Sequence, residues 1–188
     1  MIPSAAKCLE LMEEYEMMEH IRAHSIMVEK VARIIARGLQ GAGLELSIEK
    51  VTAGALMHDI SKTHCLAHGG DHAALGRQVC LENRFHEIAD IVGEHVRLKA
   101  YHEKHPIQEK EIVYYADKRV NHDQTVSLED RLRYLLVRYG NREAHLCRLI
   151  EENFDLCRRV EKKIFIPLIF KPEDVAEMVA DRQGGQRD

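Results

Sequence analysis

The sequence predicts an all-α fold, a helical bundle forming a single domain, and three observations carry that expectation. Apolar residues recur at three- and four-residue steps, no stretch sustains the period-two alternation of a half-buried strand, and breaks fall at helix punctuation. At 188 residues, with 45% hydrophobic and 31% charged content, the chain can bury one continuous core and resembles an ordinary globular protein.

The spacing predicts helices over 4–18, 20–38, 47–61, 71–83, 85–98, 107–121, 127–139, 141–163 and 172–182. The first belongs to an N-terminal segment, 1–19. The second carries the stripe Ile21, Val28, Val31 and Ile35, into which His24 falls, and ends at the glycine-rich GLQGAG of 38–43. Ser47 caps the third, whose stripe Ile48, Val51 and Ala55 runs out on His58 and Asp59. Adjacent helical residues diverge by roughly 100°, so both can face one point only at the edge of the buried face, as at a helix end. Asp71 caps the fourth, where His72 begins a stripe continued by Leu75, Gly76 and Val79. In the fifth, Ile88, Ile91 and Val92 lead to His95; in the sixth, Val113, Ala116 and Val120 bracket Asp117. Leu128, Leu132, Leu135 and Leu136 stripe the seventh and read as core. Gly140 with Asn141 separates it from the eighth, and Pro172, Glu173 and Asp174 suit the first turn of the last, before a frayed tail, RQGGQRD.

Bulk properties exclude several classes. A net charge of −4 argues against nucleic acid and anionic membranes as partners. The N-terminus has no apolar core of signal-peptide length, and IFIPLIF at 164–170 is too short to span a bilayer, so a cytoplasmic protein is expected. Cys8, Cys65, Cys80, Cys147 and Cys157 are scattered and odd in number, which suits reduced structural thiols.

Five helices therefore each direct an imidazole or carboxylate inward. A lone inward histidine is commonly a core residue bonded to backbone, but an unpaired buried carboxylate costs several kcal/mol or protonates, so Asp59 and Asp117 together favour a shared cation. The alternative is a metal-free hydrogen-bond network, which two carboxylates and four imidazoles would strain to satisfy. Of the twelve histidines, His64 and His68 read as decoration of a loop, His102 and His105 as a solvated stretch, and His20, His86, His122 and His145 show no pattern.

RAHS at 22–25, H-D-I-x-K at 58–62, H-x-x-x-G at 72–76, GEHV at 93–96 and Y-A-D at 115–117 resemble, in order and spacing, the HD-domain metal-dependent phosphohydrolases. The likeness covers roughly residues 20–140 and leaves 141–188 as a helical extension. It implies an HD-domain helical bundle whose divalent metal is held by His24, His58, Asp59 and Asp117. His72 and His95 would hold a second ion that Asp59 bridges. The chain is most similar to the small HDIG-type bacterial members, including the group that hydrolyses diadenosine tetraphosphate; the HD-GYP phosphodiesterases differ in a G-Y-P triplet that this sequence lacks.

Imidazole and carboxylate donors without thiolate suit Fe, Mn, Co, Ni or Zn, as one or two ions. Such ions lower the pKa of bound water to about 7 and clamp phosphoryl oxygens. The expected catalytic residues are Asp59, orienting the attacking water, and Lys62, neutralising a phosphate oxygen; Arg22 and Arg119 are further substrate-binding candidates. The expected partner is a small phosphorylated substrate, a nucleotide by resemblance, with a homodimer possible through 127–182. The rival readings are a diiron oxygenase of the same fold and a nucleotide sensor without turnover.

Overall fold

The computed structural model describes residues 1–140 and 143–184. Ser4 caps the first helix, α1 (Ala5–Glu14), by accepting from the Lys7 amide. The long α2 (Glu19–Gly41) buries the predicted stripe together with His24. Ser47 and Asp71 act as the predicted caps of α3 (Ile48–Met57) and α5 (His72–Glu82). Helices α6 (His86–Glu94) and α7 (Glu109–Lys118) complete a core in which α2, α3, α6 and α7 pack on one another and α5 lies outside α6. The α8–α9 pair (Leu128–Tyr139 and Ala144–Phe165) packs on this core through α7, and a 3-10 turn (Pro172–Asp174) leads into α10 (Val175–Gly184) against α2.

The all-α reading holds, with corrections that matter for the site. The third helix stops at Met57 rather than 61, and 62–68, expected as loop, forms α4 (Lys62–His68), ended by Gly69 and Gly70 at φ +79° and +108°. His64 and His68 lie exposed on α4, their ring centroids 4.6 Å apart. The sixth predicted helix ends at Lys118 instead of 121, because Val120–Asn121 (β1) and Gln124–Thr125 (β2) pair as a hairpin whose turn places His122 at φ 54°. Two-residue strands are too short to show alternation in the sequence. Of the stripe on α8 Leu128 is fully buried, Leu132 and Leu135 pack half-buried against the core, and Leu136 is half-buried, so the face is only partly covered. The break at Asn141 lies outside the described residues; α10 runs to Gly184, and the rest of the expected frayed tail lies outside them too.

Two glycines set the spacing of the central helices. A Cβ on Gly54 would stand 2.5 Å from Ile91 Cγ2, and one on Gly76 would stand 2.9 Å from Val92 Cγ1. Gly54 precedes His58 by one turn and Gly76 follows His72 by one turn, so both close approaches to α6 draw metal-capable residues toward His95.

The C-terminal helices are tied down by buried polar pairs. Lys163 Nζ lies 2.9 Å from both oxygens of Glu111, linking α9 to α7, and also donates to the His102 carbonyl. Arg119, 4% exposed, donates to the Tyr115 hydroxyl and to the Val126 and Pro172 carbonyls, while Tyr115 donates to Glu161 on α9. Cys8, Cys80 and Cys157 are buried free thiols, pushed up to about 12 by burial and therefore unreactive.

Lys163→Ala leaves Glu111 buried without its counter-charge and should cost about 3–5 kcal/mol in urea denaturation; a loss below about 1 kcal/mol would show that the pair is not desolvated. Gly54→Ala should cost about 1–3 kcal/mol through overpacking and should also weaken divalent-ion binding, read by titration calorimetry on the folded variant.

Candidate metal centre

The six predicted donors converge from five helices and the turn after one of them. His58 sits at the C-cap of α3 and His95 at that of α6, both in αR conformation; His72 is the first residue of α5, while His24 and Asp117 lie within α2 and α7. Asp59 follows in the tight turn joining α3 to α4, where the chain departs from the helix axis and both members of the H-D pair can face the same interior point. His58 is 0% exposed and Asp59 1%.

Three of the imidazoles are oriented by backbone carbonyls. His24 Nδ1–H donates to His122 (2.9 Å), His58 Nδ1–H to Ala55 (2.7 Å) and His95 Nδ1–H to Val92 (2.6 Å). A carbonyl can only accept, so the proton is placed on Nδ1, and in the neutral ring Nε2 keeps its lone pair for a metal. Burial pushes His95 down to about 4, leaving that ring neutral at pH 7.

The donors fall into two groups sharing Asp59: His24, His58 and Asp59, and Asp59, His72 and His95, with donor atoms in each within 4.8 Å of one another. Asp59 Oδ2 lies 3.4 Å from His58 Nε2, while Oδ1 lies 3.3 Å from His72 Nε2 and 3.4 Å from His95 Nε2. Asp117 Oδ1 joins the first group, 3.1 Å from His24 Nε2 and 3.8 Å from His58 Nε2. Burial would raise the Asp59 carboxyl, yet the charge of His58 beside it and the close ring nitrogens of His58, His72 and His95 hold it well below the usual carboxylate range. Asp117 is likewise held low against burial, by the Lys118 charge and by His24.

These residues fit a divalent cation. His58 Nε2 and Asp59 Oδ1 are buried without a hydrogen-bond partner among the described residues, whereas a closed metal-free network would satisfy both. Burial would lower the His58 imidazole, yet Asp59 and Asp117 raise it, so a cation bound here would take the place of a proton. An imidazole lone pair and a carboxylate oxygen accept a metal ion together, and the nitrogen and oxygen set without thiolate suits Mn, Fe, Co, Ni or Zn.

The site opens into a cleft of about 520 Å³. Its floor is Asp59, His72, His95 and Asp117; its opposite wall is apolar, from Leu135 on α8 to Leu146, Leu149, Ile150 and Phe154 on α9. Lys62 stands in this cleft with Nζ 2.7 Å from Asp59 Oδ2, and Asp59 and Asp117 hold its ammonium above the usual lysine range against the lowering effect of burial.

The structure does not bring the two arginine candidates to the cleft. Arg22 pairs with Glu13 at 3.1 Å on the surface, and Arg119 is engaged in the buried anchor to the C-terminal segment; neither lines the cleft. Adjacency in sequence to a ligand does not give adjacency in space, because neighbouring helical residues diverge. Lys118 was missed: it lines the cleft, and its Nζ bonds Asp117 Oδ2 at 3.0 Å and the His95 carbonyl. His122 was missed as well, since it acts through its backbone carbonyl. For Arg131 and the α8–α9 wall, the only sequence signal was an amphipathic stripe, which reads equally as core.

The family described as HD domain matches residues 21–121 of this chain. The chain is also similar to an uncharacterized protein of Methanocaldococcus jannaschii, 25% identical over 151 residues that cover 73% of this chain and 88% of the relative. No solved structure matches it significantly.

Metal titration with calorimetry and elemental analysis should give two divalent-ion equivalents, one for each donor group. His24→Ala and His72→Ala should each remove one equivalent, whereas Asp59→Ala should weaken both by at least about 10-fold. Full stoichiometry in Asp59→Ala would contradict the shared carboxylate.

Proposed function

The chain belongs to the HD domain family, and on that premise we propose that it is a metal-dependent phosphohydrolase cleaving a phosphoester or phosphoanhydride bond of a small, nucleotide-like substrate with water. The observation that carries this reading is the buried Asp59 carboxylate shared by two donor groups, with an unpartnered oxygen beside an unpartnered imidazole nitrogen. His24, His58, Asp59 and Asp117 would hold one divalent ion, and Asp59, His72 and His95 a second. Bound there, such ions supply Lewis acidity toward a phosphoryl oxygen and toward water.

The chain's own residues do the rest. The Asp59 carboxylate lies at the cleft floor between the two donor groups, where it orients an attacking water against the phosphorus. Lys62 Nζ, paired with Asp59 Oδ2 and open to the cleft, offers further donors to a non-bridging phosphate oxygen. The ammonium of Lys118 fixes Asp117 and, through the His95 carbonyl, the end of α6. The apolar wall excludes water from the opposite side and suits a nucleobase or similar flat group.

The H-D-I-x-K segment supports placement among the HDIG-type members, and the likeness to the diadenosine tetraphosphate hydrolase group makes dinucleoside polyphosphates the first substrates to test. Phosphate release should be screened over nucleotides, dinucleoside polyphosphates and cyclic dinucleotides with Mn, Fe, Co, Ni and Zn. Release should vanish on chelation and in Asp59→Ala, and kcat/KM should fall about 100-fold in Lys62→Ala. Undiminished hydrolysis by the chelated protein would overturn the reading.

A further inference from the structure

A second cavity, of about 170 Å³, lies on the other side of the Asp59–Lys62 pair and is lined by His20, His122, Tyr134 and Arg138. The two cavities share Asp59, Lys62, Leu66, Arg131 and Tyr139, so a molecule reacting at the floor can reach into both. Their chemistry differs. The larger adds a wall of leucines, Ile150 and Phe154 to its charged groups, while the smaller has no such wall and gathers three cations, Lys62, Arg131 and Arg138, against a single carboxylate that Lys62 already pairs.

Arg131 stands where the two meet. Its Nη1 donates to Asn121 Oδ1 at 2.8 Å and its guanidinium stacks 5.5 Å from the Tyr134 ring centroid, which fixes the plane. Its Nε is buried and has no hydrogen-bond partner among the described residues. A guanidinium presents Nε and Nη2 along one edge in the geometry that a phosphate or carboxylate accepts as a pair, and a buried unpartnered donor costs stability that an oxyanion would recover.

We infer that Arg131 is a specificity-determining residue that binds a second oxyanion of the substrate in the smaller cavity, while the scissile phosphate lies at the floor and an apolar group lies against the α8–α9 wall. The inference rests on the phosphohydrolase reading for the place of the scissile phosphate. The substrate class is thus an organic phosphate carrying a further phosphate or carboxylate beside the reacting one, with Arg138 closing the cavity mouth.

The test is equilibrium binding by titration calorimetry on the full chain, with calcium replacing an activating ion so that no turnover is required. Adenosine diphosphate should bind at least about 10-fold more tightly than adenosine monophosphate, and Arg131→Gln should erase that preference. Arg133→Gln, an exposed arginine on the same helix, should leave it unchanged. If the second group is a carboxylate, phosphoglycolate will instead outbind ethyl phosphate, again only with Arg131 present. Arg131→Lys retains the charge without the paired edge and should reduce the preference several-fold, which decides the matter should Arg131→Gln fail to fold. Equal binding within both pairs, or a preference that survives in Arg131→Gln or undiminished in a folded Arg131→Lys, overturns the inference. A protein that shows the preference yet releases no phosphate with any activating ion would instead refute the hydrolase reading and keep the oxyanion site.

Discussion

Burial of the Asp59 carboxylate is the constraint on which the rest of the structure depends. Moving an ionised carboxylate into a protein interior costs several kcal/mol, and the neighbours of Asp59 are arranged to offset this from several directions at once. Lys62 takes one oxygen, and the imidazoles of His58, His72 and His95 crowd around the group. That crowding requires the ends of α3 and α6 and the start of α5 to meet, and Gly54 and Gly76 permit it where any side chain would hold the helices apart. The packing of the bundle and the convergence of its donors are therefore one geometric problem with one solution.

The two buried carboxylates solve their charge problem in the same way. In each, Oδ2 is held by a lysine, Lys62 for Asp59 and Lys118 for Asp117, while Oδ1 is turned toward imidazole nitrogens. A lysine on one oxygen limits the carboxylate's freedom to rotate and leaves the other oxygen aimed. The histidine ring protons are set by the same economy of means, each on a nitrogen that faces a carbonyl at the end of a helix or in the β-hairpin turn. The geometry of the donor set thus depends on backbone groups as much as on the donor side chains.

Legibility in the sequence followed the range of the physical signal. Helix periodicity and caps are local, so α2, α3, α5 and α7 could be read with their inward faces, and a polar residue at the end of an apolar stripe marked His58, Asp59 and His95. What the sequence hid is what depends on distant partners. Lys118 and Arg119 are adjacent, yet one supports the site and the other anchors the C-terminal segment, a difference set by the helix face each occupies and by what packs there. The carbonyl of His122 matters only because a hairpin turn brings it to His24. The leucines of α8 announced burial without saying whether against protein or over a cleft.

All six metal-capable donors lie within the stretch that matches the HD family, 21–121, whereas the apolar wall and Arg131 lie beyond it, on α8 and α9. Floor and wall are consequently borne by separate parts of one chain, joined through α7 and a few buried polar pairs. The cleft-facing side chains of α8 and α9 can then vary with little disturbance to the donors beneath, so long as Leu128 and Phe154 keep their places in the core. On the phosphohydrolase reading proposed above, reactivity and selectivity are then separately evolvable, and retargeting the cleft reduces to redesigning one surface that faces it.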